Sequence, residues 1–182
     1  MAIEGDVTFH PGWWSKHAGI SFSRDFFSDI HYRIESDIVM RRLLYEKFGE
    51  FGLGEMKPEA RPLIGSDLIA SGYLYSGILG CEIQFSDNAP PEVICANIKP
   101  DDMEPFSTDV LEESDLWKDT VRQIEYLENQ FGTVESHINL QGIQNIALDL
   151  RGSELFIDYY ENPDFAKRLL ELCTDLTIEI GK

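Results

Sequence analysis

Ser136-His137-Ile138-Asn139-Leu140-Gln141-Gly142-Ile143-Gln144-Asn145, running on to Asp149-Leu150-Arg151-Gly152, is the stretch on which the reading of this sequence turns. From Val134 to Leu140 apolar and polar side chains alternate, the two-residue period of a strand with one buried face. The polar Asn139, Gln141, Gln144 and Asn145 then crowd the carboxyl end of that strand, and Gln141 to Leu150 reads as a helix. In an α/β sheet or barrel that edge is where ligands bind. The same amides also suit a plainer role, capping a helix start and holding its turn together.

The totals limit what such an edge can bind. With 182 residues, 43% of them hydrophobic, the chain can bury a core of its own. Acidic residues outnumber basic ones 33 to 15, and the net charge of −18 repels polyanions, so nucleic acid and anionic membrane surfaces are poor partners. No charged segment followed by an apolar run opens the sequence, and no apolar run is long enough to cross a bilayer. The expectation is a soluble, cytoplasmic protein. Cys81, Cys95 and Cys173 are widely spaced and form no C-x-x-C pair, which suits free thiols better than a disulfide frame or a zinc ribbon.

Outward from the central stretch, the remaining segments fall into helices and short strands. Trp13-Trp14-Ser15-Lys16-His17 sets two large aromatics beside a cation and an imidazole, which would line a pocket or seal the end of a core. Phe27, Ile30, Ile34, Ile38, Tyr45 and Phe48 recur at helical spacing, and Gly49, Gly52 and Gly54 end that helix. Within it His31 and Glu35 stand four apart, as two metal ligands or, more ordinarily, as a surface contact. Leu63-Ile64-Gly65-Ser66-Asp67 reads as a strand whose carboxyl end presents Asp67, followed by a helical stretch from Leu68 to Leu79. Glu82 to Phe85 and Val93 to Ile98 flank Asp87-Asn88-Ala89-Pro90-Pro91 as a β-hairpin with a longer turn. After an acidic stretch, Ser114 or Asp115 caps a helix carrying Trp117, Val121, Ile124 and Phe131 on one stripe. Asn162-Pro163 opens a last helix whose apolar face is Phe165, Leu169, Leu172, Leu176 and Ile180.

Strands alternating with helices predict a parallel βα fold, but two or three strands leave such a sheet unfinished. At this point the sequence resembles the amino-terminal half of the uroporphyrinogen decarboxylase-like family. That family also includes cobalamin-dependent methyltransferases, which move methyl groups between corrinoid proteins and thiol or folate acceptors. Three pieces carry the resemblance, in order: Trp14-Ser15-Lys16-His17-Ala18-Gly19; Gly65-Ser66-Asp67 with Ile78-Leu79-Gly80-Cys81-Glu82-Ile83; and His137 to Gly152 with Asn162-Pro163. It implies an α/β chain, the amino-terminal half of a (β/α)8 TIM-type barrel, with an N-terminal helical extension over 1–60, the first βα units over 61–182 and a β-hairpin insertion.

The resemblance also implies roles. Asp67 matches the strand-end aspartate that contacts pyrrole nitrogens in the decarboxylases. Two arginines that grip substrate carboxylates there are matched by Lys16 and Ile20, and the tyrosine before the later glycine by Leu148 or Ala147. Lysine does not reproduce the planar fork of arginine, and isoleucine offers no donor, so a polycarboxylated porphyrinogen fits poorly. The expected catalytic residues are thus Asp67 and His137, with Trp14, Lys16, His17, Asn139 and Gln141 facing a small-molecule substrate. No metal or cofactor is expected on this chain itself. In the methyltransferase branch, zinc held by a His and two Cys in the other half activates the acceptor thiol, and the methyl group arrives on a corrinoid protein. The missing half is either cut off from this chain or supplied by a second chain that completes the barrel, and that corrinoid protein is the other expected partner. The alternatives are decarboxylation of a tetrapyrrole or smaller aromatic acid, and a non-catalytic binding subunit using the acidic stretch Asp101 to Asp115.

Overall fold

The structure, a computed structural model, describes residues 7–102, 110–135 and 138–181. Ser136 and His137 therefore lie outside the described residues, as does the middle of the acidic stretch. The chain forms α1 (Pro11–Ala18), α2 (Arg24–Ser28), α3 (Ile30–Phe48), α4 (Leu74–Ile78), β1 (Glu82–Ser86), β2 (Ala89–Ile94), α5 (Val110–Glu113), α6 (Asp115–Phe131), α7 (Ile143–Arg151), α8 (Leu155–Glu161) and α9 (Pro163–Ile180). It is a mixed α/β chain, mostly helical, with one two-stranded sheet among the described residues. No described helix is long and apolar enough to cross a membrane.

Two compact units divide the chain. The first comprises Met1–Ser71, Phe85–Pro90 and Thr120–Asn139, and the second Gly72–Gln84, Pro91–Asp119 and Leu140–Lys182. In the first, Trp14, Ile20, Phe22, Phe26, Met40, Leu44, Leu68 and Ile69 form one buried cluster, with Phe9, Trp13 and Phe48 packed on its margin. In the second, α7 and α8 pack on α9, whose Phe165, Leu169, Leu172 and Leu176 are buried as their spacing predicts.

Several elements differ from the sequence reading, each for a local reason. The helix expected from Phe27 to Phe48 is interrupted at Asp29, whose carboxylate accepts from the His31 and Tyr32 N–H groups and starts a new helix. The buried face of α3 is not an apolar stripe but the ridge Arg33, Asp37 and Arg41, flanked by Ile34, Met40 and Leu44, while Tyr45 is exposed. Likewise α6 buries Thr120, Gln123 and Leu127 and leaves Phe131 outside. Ser114 does cap α6, accepting from the Trp117 N–H at 3.3 Å. Asn162 does not cap α9 with its side chain, which donates instead to Asp158. The hairpin turn is only Asp87-Asn88, because Pro90 and Pro91 lie within β2. Proline is tolerated there since a two-stranded sheet consists of edges.

Among the described residues the two expected parallel strands survive as one contact: Leu63 pairs in parallel with Glu135 as an isolated bridge. The helix expected over 68–79 shortens to α4, and His31 and Glu35 are both exposed, with His31 Nε2 3.3 Å from the Tyr126 hydroxyl.

Candidate functional site

The site begins at that bridge. The Ile64 N–H donates to the Glu135 carbonyl at 3.3 Å and the Glu135 N–H to the Pro62 carbonyl at 2.7 Å, so two chain segments set out side by side in the same direction. Asp67 and Asn139 each follow the paired residue by four positions. Arg33 of α3, almost wholly buried, anchors the start of the first segment by donating through Nε to the Leu63 carbonyl at 3.0 Å. Beyond Asp67, the Leu68 carbonyl accepts from both the Phe9 N–H and the Trp14 indole N–H, each at 3.2 Å. The α1 aromatics are thereby tied to the peptide next to Asp67.

Asp67 itself sits in a network of charges. Arg61 Nη1 and Nη2 donate to its two carboxylate oxygens at 3.2 and 3.1 Å. The same guanidinium donates through Nε and Nη2 to Asp37 at 3.2 and 2.6 Å. Arg41 Nε reaches Asp37 Oδ2 at 2.7 Å, its Nη1 reaches Glu55 at 2.8 Å, and its Nη2 donates to the Glu59 carbonyl. Gly54 makes the return of the chain to Arg41 feasible: it adopts φ +71°, and any Cβ there would collide with the Arg41 carbonyl and the Tyr45 N–H. Burial works against the charge on Arg61, but the hydrogen bonds and charges of Asp37 and Asp67 outweigh it and raise the guanidinium above its ordinary value. Asp67 is thus a fixed acceptor beside a permanent cation.

The other expected residues of the first unit are distributed around this point. Trp14 is fully buried in the core with its indole on Leu68. Lys16 and His17 are exposed on α1, with the His17 ring 4.8 Å from that of the half-buried Trp13. Asn139 is half-buried. His137 lies outside the described residues. The structure brings Trp14 to within one residue of Asp67 and leaves Lys16 and His17 on the outer face of their helix.

Gln141 belongs to the second unit, where it meets two residues the sequence reading missed. Its Nε2 donates to Ser76 Oγ at 3.0 Å and to Asp149 Oδ2 at 3.1 Å, and its Oε1 accepts from the Ser76 N–H at 3.3 Å. The Ser76 hydroxyl donates to Asp149 at 2.6 Å. Gly72 lets this amide lie close, since a Cβ there would be 3.1 Å from Gln141 Cγ. Every polar atom of the Gln141 side chain is engaged, so the triangle ties α4 to the start and end of α7. Replacing Ser76 with Ala should cost about 1–3 kcal/mol, because it removes the hydroxyl's bonds to the Asp149 carboxylate and the Gln141 amide and leaves those two only their 3.1 Å contact with each other within the triangle. A urea midpoint unchanged from the parent would show that the triangle carries no such load.

Nearby, burial in the first place and the Asp149 charge in the second push the Cys81 thiol up to about 11, and burial pushes Cys173 up to about 12. Both are protonated and unreactive at neutral pH. Among the described residues no group of three or more His, Cys, Asp or Glu is placed to hold a metal ion. Comparison with known proteins finds no matching family profile, no matching curated protein and no matching solved structure.

Proposed function

We propose that this chain supplies the substrate-orienting part of a uroporphyrinogen decarboxylase-like barrel enzyme that transfers a methyl group from a corrinoid protein in the cytoplasm. The observation that carries the reading is the parallel pairing of Leu63 with Glu135 directly ahead of an anchored Asp67, the arrangement of a βα strand end with an acceptor at its mouth. A barrel needs more strands than the described residues hold, so a second polypeptide segment would complete it.

The arginines support methyl transfer over decarboxylation of a polycarboxylate. Arg33, Arg41 and Arg61 direct their forks at protein carbonyls and at Asp37, Asp67 and Glu55. Ile20, at a position where the decarboxylases hold a gripping arginine, is buried in the core. These three forks are already taken by the protein's own acceptors and do not offer a substrate bearing many carboxylates a planar clamp.

In this reading the methyl-transfer chemistry comes from a metal-activated thiol and the corrinoid, both held outside this chain. The chain's own residues bind and orient. Asp67 accepts a hydrogen bond from the substrate, Arg61 keeps the carboxylate aimed, and Asn139 offers an amide four residues after the paired Glu135.

The reading is tested on the complex purified from its native cells through a tag on this chain. Given methylcob(III)alamin and a thiol, the complex should consume the methyl–cobalt absorption band. The Asp67→Asn complex should be slower by about 100-fold or more, as when a preorganised polar contact is removed, with its melting temperature within a few degrees of the parent. Full activity in that variant overturns the role of Asp67. Carbon dioxide release from an aromatic acid, without methyl consumption, assigns decarboxylation instead.

A further inference from the structure

A planar guanidinium has two edges that match a carboxylate, and Arg61 uses both. Its Nε/Nη2 edge faces Asp37 at 3.2 and 2.6 Å, and its Nη1/Nη2 edge faces Asp67 at 3.2 and 3.1 Å. The two carboxylates differ sharply in surroundings: the Asp37 side chain is 1% exposed, against 28% for Asp67 and 25% for Arg61. We propose that Asp37 is the positioning residue for Asp67, acting through Arg61. The inference rests on the reading of Asp67 as a substrate-facing acceptor.

Three observations support it. First, Asp37 is immobilised from behind: it projects from the long helix α3, and Arg41 holds its Oδ2 at 2.7 Å while itself tied to Glu55 and the Glu59 carbonyl. The inner end of the chain of forks is therefore rigid. Second, the inner contact of Arg61 is the tighter one, at 2.6 Å against 3.1 Å for the outer. A ligand can thus compete for the lone pairs of Asp67 while Asp37 keeps the guanidinium where it is. Third, an ion pair as exposed as Arg61 with Asp67 would be loosely held by itself, because ordering two side chains offsets most of the Coulomb gain. With Arg61 already fixed by Asp37, only the short Asp67 side chain remains to be ordered, and both its oxygens find a preset edge. The buried carboxylate on α3 thereby sets the direction of the exposed one at the strand end.

The test compares Asp37→Asn and Arg61→Lys with the parent by two readouts. One is the position of the Asp67 carboxylate in crystal structures of the variants, and the other is kcat and KM of the native complex with methylcob(III)alamin and a thiol. Lysine keeps the charge at position 61 but presents one point instead of two edges. In both variants Asp67 should leave its parent position or divide between rotamers. The rate should fall about tenfold or more, chiefly in kcat, since displacement of a positioned group by about 1 Å can cost 100-fold. Asp67 unmoved in both variants overturns the inference, whatever happens to their melting temperatures. So does an unchanged kcat well below the melting temperature when the Asp67→Asn complex is slow. If Asp37→Asn does not fold, Arg61→Lys decides by the same readouts, its site being partly open to solvent. Failure of the functional reading looks different: Asp67→Asn would then keep full activity while Asp67 still moves in the Asp37 and Arg61 variants.

Discussion

Replacing Arg33 with Met should destabilise the first unit by about 3 kcal/mol or more, although the two side chains are similar in length and the site is buried. Arg33 is 1% exposed. It donates to the Leu63 carbonyl at 3.0 Å, to the Phe27 carbonyl at 3.1 Å and to Gln123 Oε1 at 2.7 Å, with a longer contact to the Phe26 carbonyl. Methionine removes all of these donors at once. The Phe27 carbonyl would retain the Gln123 amide at 3.4 Å. The Leu63 carbonyl and Gln123 Oε1 lose a close charged donor in a dry place, and hydrogen bonds from charged groups contribute about 1.5–3 kcal/mol each. Urea unfolding followed by tryptophan fluorescence should show a lower midpoint with an unchanged slope. Arg33→Lys should recover only part of the loss, because one ammonium cannot reach acceptors spread around a planar fork. A Met variant within 1 kcal/mol of the parent would mean that the guanidinium is not what holds the Leu63 strand start to α3.

The same ridge explains where the sequence was legible and where it was not. The apolar spacing of Phe165, Leu169, Leu172 and Leu176 predicts the buried face of α9 because that face is apolar throughout. In α3 the middle of the buried face is charged, so apolar periodicity finds only its flank: Ile34 is buried, Ile30, Ile38 and Phe48 are half-buried, and Tyr45 is exposed. The available signal was another one: Arg33, Asp37 and Arg41 stand four residues apart, on one face, with signs that alternate. Asp67 stands out in the sequence as the acid that closes Leu63-Ile64-Gly65-Ser66-Asp67. That Arg61 links it to Asp37, thirty positions earlier, leaves no local trace, since bringing the two carboxylates to one guanidinium depends on how α3 packs. Ser76 and Asp149 are further apart still, and Gln141 was legible only as one amide among several. Of the two expected parallel strands, only Leu63 and Glu135 pair among the described residues, as an isolated bridge. Alternation describes which face a residue would take, not how far a ladder extends.

Asp158→Asn should be the most costly single change in the second unit, at about 3–5 kcal/mol, the usual loss when one partner of a buried ion pair is removed. Asp158 is 1% exposed and accepts from Arg151 Nε at 2.5 Å, from Arg151 Nη2 at 3.3 Å and from Asn162 Nδ2 at 2.9 Å. Asparagine would turn an amide N–H toward donors and leave the Arg151 guanidinium paired only with the exposed Glu154. Arg151 also donates to the Ile98 carbonyl at 3.0 Å and lies 5.5 Å over the Phe165 ring, so its displacement would reach two further segments of the unit. The pH dependence separates charge from shape. The hydrogen bonds from Arg151, first of all, hold the Asp158 carboxyl below the ordinary carboxylate range, against the opposing effect of burial. A carboxylate depressed in the folded state contributes stability that is fully present above its unfolded value, about 3.9, and is lost as the pH falls below it. The gap in stability between parent and variant should therefore be constant from neutral pH down to about 5 and narrow as the pH falls further. Self-repulsion within this acidic chain also changes over that range, but it changes alike in both proteins and drops out of the difference. A gap that stays constant down to about pH 3 would mean that Asp158 matters for its shape and hydrogen-bond count, and that its charge contributes nothing.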